Sequence, residues 1–126
     1  MSYQTKTKDP ERRKNLEREV ERYKNIMARH PEILGAIMFG SITNDTVEAE
    51  SDIDLLIIEK TEKPFIKRIQ ALRKILTPTL ATDIIAYTPE ELFKLSRERP
   101  FVREELLGKG KIIYERKRGD LAEICP

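Results

Sequence analysis

The sequence that decides the fold is Ser51-Asp52-Ile53-Asp54-Leu55-Leu56-Ile57-Ile58, which follows Gly40-Ser41 after nine intervening residues. Its apolar second half predicts a β-strand, and two aspartates stand at positions i and i+2 where that strand begins. Because side chains alternate between the faces of a strand, we expect both carboxylates on one face. Aspartate is depleted in strands, so such a pair needs a solvent-exposed edge or a cation. The geometry suits a shared metal ion.

Length and charge limit the choice of function. A chain of 126 residues is expected to form one domain, residues 1–126, with a core from about 11 to 115 and flexible termini. Lysine and arginine total 24 against 22 aspartates and glutamates, which gives a net charge of +2. A strongly basic field would indicate binding to a phosphate backbone. The balanced charge therefore does not predict direct binding of nucleic acid.

Cysteine usage and hydropathy indicate the compartment. The single cysteine, Cys125, cannot form an intramolecular disulfide, and no cluster of cysteine and histidine predicts a zinc site. The first fifteen residues are polar and basic, and no apolar run approaches the roughly 18 residues of a membrane span. We therefore expect a soluble, cytoplasmic protein without a membrane partner.

The order of predicted elements gives the fold class. Helix signals and periodicity predict a helix from Pro10 to about His30, and an apolar run predicts a strand covered on both faces over 33–39. Residues 41–50 are predicted to form a turn. Further elements are the strand 53–58, a helix over 64–76, a strand over 82–87, a helix from Pro89, a short helix over about 100–107 and a strand over 111–114. This order predicts an α/β (α+β) domain with a mixed sheet of about four strands packed against helices, and a solvated surface over 116–118.

Three features of this pattern resemble the nucleotidyltransferase superfamily that includes DNA polymerase β. They are Gly40-Ser41, the pair Asp52 and Asp54 that follows Ser51, and Asp83 at the start of a later strand. Within that superfamily the chain is similar to the minimal, single-domain nucleotidyltransferases. Softer similarity extends over residues 87–92 and 110–115, so the likeness covers roughly residues 33–115. The resemblance implies the nucleotidyltransferase fold.

The resemblance also implies a site. Asp52, Asp54 and Asp83 would be the catalytic carboxylates and the ligands of two Mg²⁺ ions, and Gly40, Ser41 and Ser51 would bind the nucleotide, ATP or another nucleoside triphosphate. Mg²⁺ prefers carboxylate oxygens and can neutralise charge on both the attacking and the leaving side of a phosphoryl transfer. In this interpretation Asp83 completes the ion that activates the acceptor hydroxyl and is a candidate to accept its proton.

Each feature also has an ordinary interpretation when it is taken alone. Gly-Ser occurs in many turns, Asp-x-Asp before a strand often serves as a cap, and an aspartate at a strand edge is common. The chain also departs from the family pattern, because residues 42–50 contain three acids and no arginine, lysine or glycine. Lys60, Lys63, Lys67 or a partner protein are the candidate sources of positive charge for a triphosphate.

The expected function is Mg²⁺-dependent transfer of a nucleotide monophosphate, with AMP the first choice, from a nucleoside triphosphate to a hydroxyl. Stand-alone minimal domains resemble the antitoxin of two-gene modules whose other member is a HEPN-domain toxin. The resemblance implies that a tyrosine of such a toxin, encoded nearby, is the acceptor. Two alternatives stay open: a weak or inactive domain of this fold that acts by binding alone, and a nucleotidyltransferase for small molecules.

Overall fold

In a computed structural model, the described part of the chain comprises residues 10–39, 52–117, 119 and 121. Its elements are α1 Pro10–Met27, β1 Ile33–Phe39, β2 Ile53–Glu59, α2 Phe65–Leu76, β3 Thr82–Tyr87, α3 Pro89–Glu98, a π-helix Val102–Leu107 and β4 Lys111–Glu115. The order confirms the predicted fold class. The only difference in type is the short helix before β4, which has the wider π-helical turn. The predicted turn over 41–50 lies outside the described residues.

Within the described residues, the sheet has four strands in the order β3-β2-β1-β4. Strand β1 pairs antiparallel with both β2 and β4, whereas β2 and β3 run parallel. Parallel neighbours need a crossover connection, which α2 supplies. The sheet is therefore mixed, as predicted. This topology brings the end of β1 and the starts of β2, β3 and β4 to one edge, called here the proximal edge, and leaves the end of β2 at the opposite, distal edge.

Both faces of the sheet are covered, which explains the continuous apolar runs of β1 and β2. Helices α1 and α2 cover one face through an apolar stripe that contacts Ile53, Leu55 and Ile57. Helix α3 and the π-helix cover the other face, where Leu56 and Ile58 are buried. Successive residues of β2 therefore belong to opposite cores. No helix within the described residues is long and apolar enough to cross a membrane.

The side chain of Arg116 caps the C-terminal end of α1. Its guanidinium Nη2 donates to the carbonyl oxygens of Met27 and His30 at 3.0 and 2.8 Å, and its Nε donates to the Ile33 carbonyl at 2.9 Å. The last carbonyls of a helix have no intrahelical partner, so a cation that binds them stabilises the end of the helix. The prediction that residues 116–118 form solvated surface was therefore wrong for Arg116. Lys117 is exposed, and residue 118 lies outside the described part.

Glu59, the last residue of β2, is buried at the distal edge with 6% of its surface exposed. No hydrogen bond reaches its carboxylate from the residues that the structure describes. Burial raises the pKa of Glu59, with Glu32 acting in the same direction and Lys63 and Arg68 acting against it. The charged form is therefore destabilising in the folded state. This cost is absent below the unfolded pKa, grows as the pH rises from the unfolded to the folded pKa, and stays constant above the folded pKa.

Replacing Glu59 with glutamine should consequently increase the free energy of unfolding at pH 7, by about 1 kcal/mol, the scale expected for a buried charge without full compensation. Urea unfolding at pH 7 and pH 4 measures the effect, which should shrink at the lower pH. Glu62→Gln, which removes an exposed acid three residues away, is the control and should change stability little at either pH. Equal or lower stability of Glu59→Gln at pH 7 would contradict the assignment.

Candidate active site at the proximal edge

Two of the predicted aspartates are direct neighbours across the sheet. Asp54 of β2 is paired in register with Asp83 of β3, and on its other side with Phe39 at the end of β1. Paired residues of adjacent strands are about 4.8 Å apart and point to the same face. Asp54 is half-buried and Asp83 is exposed. The structure thus brings two acidic residues together at an accessible edge.

Their position follows from the local sequence. Ile53 and Leu55 are anchored in the core beneath α1 and α2, so alternation turns Asp54 to the opposite face. Ile84 is anchored in the same core and turns Asp83 in the same direction. Among the described residues the Asp83 side chain has no hydrogen-bonding or ion-pair partner. Its side chain is exposed to solvent at this edge.

Asp52 lies one residue before β2, and its surroundings differ from those of Asp54. Its backbone N–H donates to the Ala81 carbonyl at 2.9 Å, which ties it to the start of β3. Its carboxylate Oδ1 lies 3.4 Å from Nη2 of Arg12 in the first turns of α1. A cavity of about 270 Å³ is open beside this ion pair, and its lining is formed by Glu11, Arg12, Asn15, Leu16, Asp52 and Leu80. The sequence alone did not identify Arg12 as a neighbour of the site.

Glu19 of α1 holds the turn that leads into β3. Its Oε2 accepts hydrogen bonds from the backbone N–H groups of Thr79 and Leu80 at 2.6 and 3.3 Å. Arg22 donates to both Glu19 carboxylate oxygens at 2.9 Å and to the Leu76 carbonyl at 2.8 Å. One helix therefore fixes the chain three to four residues before Asp83. The role of Glu19 was also missed from the sequence, because Thr79 and Leu80 are about 60 residues away from it.

Glu19 is strongly acidic in the folded protein. Burial acts to raise its pKa, but the hydrogen bonds from Arg22 and from Thr79 outweigh burial and lower the pKa to about 2. The carboxylate therefore stays charged at any physiological pH. The turn before β3 depends on that charge.

Tyr23 and Thr82 form a second link between α1 and β3. The Tyr23 hydroxyl and Thr82 Oγ1 are 2.7 Å apart in the core, and Thr82 Oγ1 donates in turn to the Leu80 carbonyl at 3.0 Å. Burial raises the pKa of Tyr23 far above its usual value, so its hydroxyl stays neutral. Since Thr82 precedes Asp83 directly, this buried link sets the position of the acid.

The predicted ligand set is present only in part. Within the ranges 10–39 and 52–117, no group of three or more histidine, cysteine, aspartate or glutamate side chains is close enough to hold a metal ion. Asp54 and Asp83 are brought together, whereas Asp52 is turned toward Arg12. Gly40, Ser41 and Ser51, the predicted nucleotide-binding residues, lie outside the described residues. The assignment of all six residues stays a prediction.

The lysines suggested as phosphate ligands do not lie near the site. Lys60 follows the end of β2, and its backbone N–H donates to the Glu32 carbonyl before β1. It is six residues of strand, or about 20 Å, from Asp54. Lys63 and Lys67 flank the start of α2, at the same distal edge. The suggestion that these three residues supply charge to a triphosphate was therefore wrong.

Comparison with known proteins agrees with this architecture. A family model described as "Polymerase beta, Nucleotidyltransferase" matches residues 21–119. That match includes all four strands, both paired aspartates and Asp52. No curated protein matches the chain significantly. Since the family model covers most of the sequence, the chain belongs to the polymerase β-type nucleotidyltransferase family.

Proposed function

We propose that this protein is a Mg²⁺-dependent nucleotidyltransferase that moves a nucleotide monophosphate, AMP in the first instance, from a nucleoside triphosphate to a hydroxyl group. The observation that carries the proposal is the register of Asp54 with Asp83 at the proximal edge. Like charges on neighbouring strands repel, and a bound cation would offset that repulsion. Membership of the nucleotidyltransferase family supplies the reaction type.

Asp54 and Asp83 are suitable ligands for Mg²⁺, because Mg²⁺ prefers carboxylate oxygens and retains several of its water molecules. Asp54 and Asp83 would hold the metal, together with Asp52 once its carboxylate leaves Arg12. Bound Mg²⁺ supplies charge neutralisation on the phosphates and favours the deprotonated acceptor hydroxyl. In the transfer, the acceptor oxygen forms a bond to the α-phosphorus, the bond from that phosphorus to the bridging oxygen breaks, and pyrophosphate leaves. Asp83 is our candidate to accept the hydroxyl proton.

For the acceptor, we propose a tyrosine hydroxyl of a HEPN-domain toxin, so that the protein acts as the antitoxin. The support is the resemblance of residues 33–115 to minimal, single-domain members of the family. In such a complex the toxin would bring its tyrosine to the proximal edge, where Asp83 is exposed.

The test uses ATP labelled in either its α- or its γ-phosphate, Mg²⁺ and the purified product of the neighbouring gene. Nucleotidyl transfer predicts that the α-label reaches the partner and the γ-label does not, because the γ-phosphate leaves with pyrophosphate. Replacing the labelled tyrosine of the partner with phenylalanine should abolish the signal. Absence of α-label on the partner would contradict the proposed acceptor, and transfer to an added small hydroxyl compound would then favour a small-molecule substrate.

A second candidate is a binding module of the same fold that neutralises its partner without catalysis. The observation that favours it is the Arg12–Asp52 ion pair, because it occupies one of the three predicted metal ligands. The two candidates differ in their response to Asp54→Asn. A binding module would still neutralise its partner after that substitution, whereas an enzyme would not.

A further inference from the structure

We propose that Arg12 exchanges partners when nucleotide binds: it neutralises Asp52 in the free protein and binds the triphosphate in the loaded protein. The inference rests on the proposed function, because it assigns part of the triphosphate-binding site.

The ion pair itself is suited to exchange. Arg12 Nη2 and Asp52 Oδ1 are 3.4 Å apart, longer than a strong charge-assisted hydrogen bond, and the two side chains are 41% and 40% exposed. Ion pairs between solvent-accessible groups are weak, since water screens them and ordering two long side chains costs entropy. A triphosphate carries more negative charge than one carboxylate and offers several acceptor oxygens. Arg12 can therefore leave Asp52 for a better anion.

The cavity beside the pair has the size and lining for part of a nucleotide. Its volume of about 270 Å³ lies just below the usual range for sites that enclose a whole small molecule, so it has room for phosphate groups but not for a complete nucleotide. Arg12 and Asn15 contribute N–H donors from α1, one helical turn apart. Asp52 lies in the same lining, at the proximal edge where Asp54 and Asp83 are paired.

The distribution of charge supports Arg12 over other basic residues. Residues 42–50 contain no arginine or lysine, and Lys60, Lys63 and Lys67 lie at the distal edge. Lys111 begins β4 at the proximal edge, but β4 is two strands from β2 and therefore about 10 Å away. Arg12, in contrast, is in direct contact with Asp52, one of the predicted metal ligands.

If Arg12 exchanges partners, removing its side chain should change the affinities for metal and for nucleotide in opposite directions. In Arg12→Ala, Asp52 loses its competing cation, so Mn²⁺ alone should bind more tightly, by about threefold. The same variant lacks a charge-assisted hydrogen bond to phosphate, so ATP in the presence of Mg²⁺ should bind about tenfold more weakly. Arg12→Lys keeps the charge without the planar fork and should bind ATP with intermediate affinity. Replacing a residue that only stabilises the fold would not raise the affinity for Mn²⁺ while it lowers the affinity for ATP.

Calorimetric titrations with Mn²⁺ alone, and with ATP at saturating Mg²⁺, on the whole chain provide the test. Arg18→Ala is the matched control, because it removes the same charge from an exposed position of the same helix and should leave both affinities unchanged. Equal ATP affinity of Arg12→Ala and wild type would overturn this inference alone. Failure of the wild type to bind ATP at millimolar concentration would overturn the proposed function and this inference together.

Discussion

Asparagine in place of Asp54 should reduce nucleotidyl transfer by at least about a hundredfold while the protein stays folded. The substitution keeps the shape of the side chain but removes the charge that a metal ligand must supply. Asp54 is half-buried and lies in register with Asp83. Its replacement therefore leaves only one of the two paired carboxylates at this edge. Transfer of α-labelled phosphate measures activity, and circular dichroism with thermal unfolding measures the fold.

The control is Glu62→Gln, which removes a negative charge from an exposed position beyond the distal end of β2. It should retain full activity. Asp83→Asn should show a loss similar to that of Asp54→Asn, and the double variant should lose little more than either single one, because groups that act as a unit are not additive. Retention of more than about a tenth of the activity in both single variants would exclude these acids as the metal ligands.

Glutamine in place of Glu19 should lower the free energy of unfolding by about 3 kcal/mol at neutral pH. The folded pKa of about 2 lies well below the usual 4.5. A depressed acid stabilises the folded state above its unfolded pKa, and this contribution is lost as the pH falls toward the folded pKa. The wild type should therefore lose this stability between pH 4.5 and 2, and Glu19→Gln should lose less over the same interval. Urea unfolding at a series of pH values measures both quantities.

Glu21→Gln provides the comparison for that experiment. Glu21 lies two residues along the same helix and forms an exposed ion pair with Lys24 at 3.3 Å. Exposed pairs at this spacing contribute only about 0.3–0.5 kcal/mol. The Glu21 variant should therefore unfold almost like the wild type and keep its dependence on pH. A similar effect of both variants would show that the turn before β3 does not depend on the buried charge.

The elements of the fold could be predicted because their signals are local. Pro10 and Pro89 mark the starts of helices, apolar runs mark β1 and β2, and the position of α2 between two strands predicts a parallel crossover. Asp83 was placed at the start of a strand for the same reason. Its register with Asp54 depends on the crossover geometry, which makes the starts of parallel strands coincide at one edge.

The supporting contacts could not be predicted, because they join residues far apart in the sequence. Arg12 reaches Asp52 across 40 residues, and Arg116 reaches the end of α1 across more than 80. Helical periodicity places Glu19 beside the apolar stripe of Leu16 and Val20 and places Glu21 away from it. The partners of Glu19 in the turn before β3 depend on how α1 packs on the sheet, which the local sequence does not contain. Arg116 was assigned to the surface because its partners at the end of α1 are also distant in the sequence.

We propose that Asp54 and Asp83 together hold the metal of nucleotidyl transfer. The most direct measurement is the paramagnetic broadening of backbone amide signals by Mn²⁺ in the presence of a non-hydrolysable ATP analogue. We predict that, as Mn²⁺ is added, the amides of Ile53–Leu55 and Thr82–Ile84 broaden first, and that those of Glu59 and Lys60 at the distal edge, about 17–20 Å away, broaden last. Selective broadening elsewhere, or none at saturating Mn²⁺ and nucleotide, would contradict the claim.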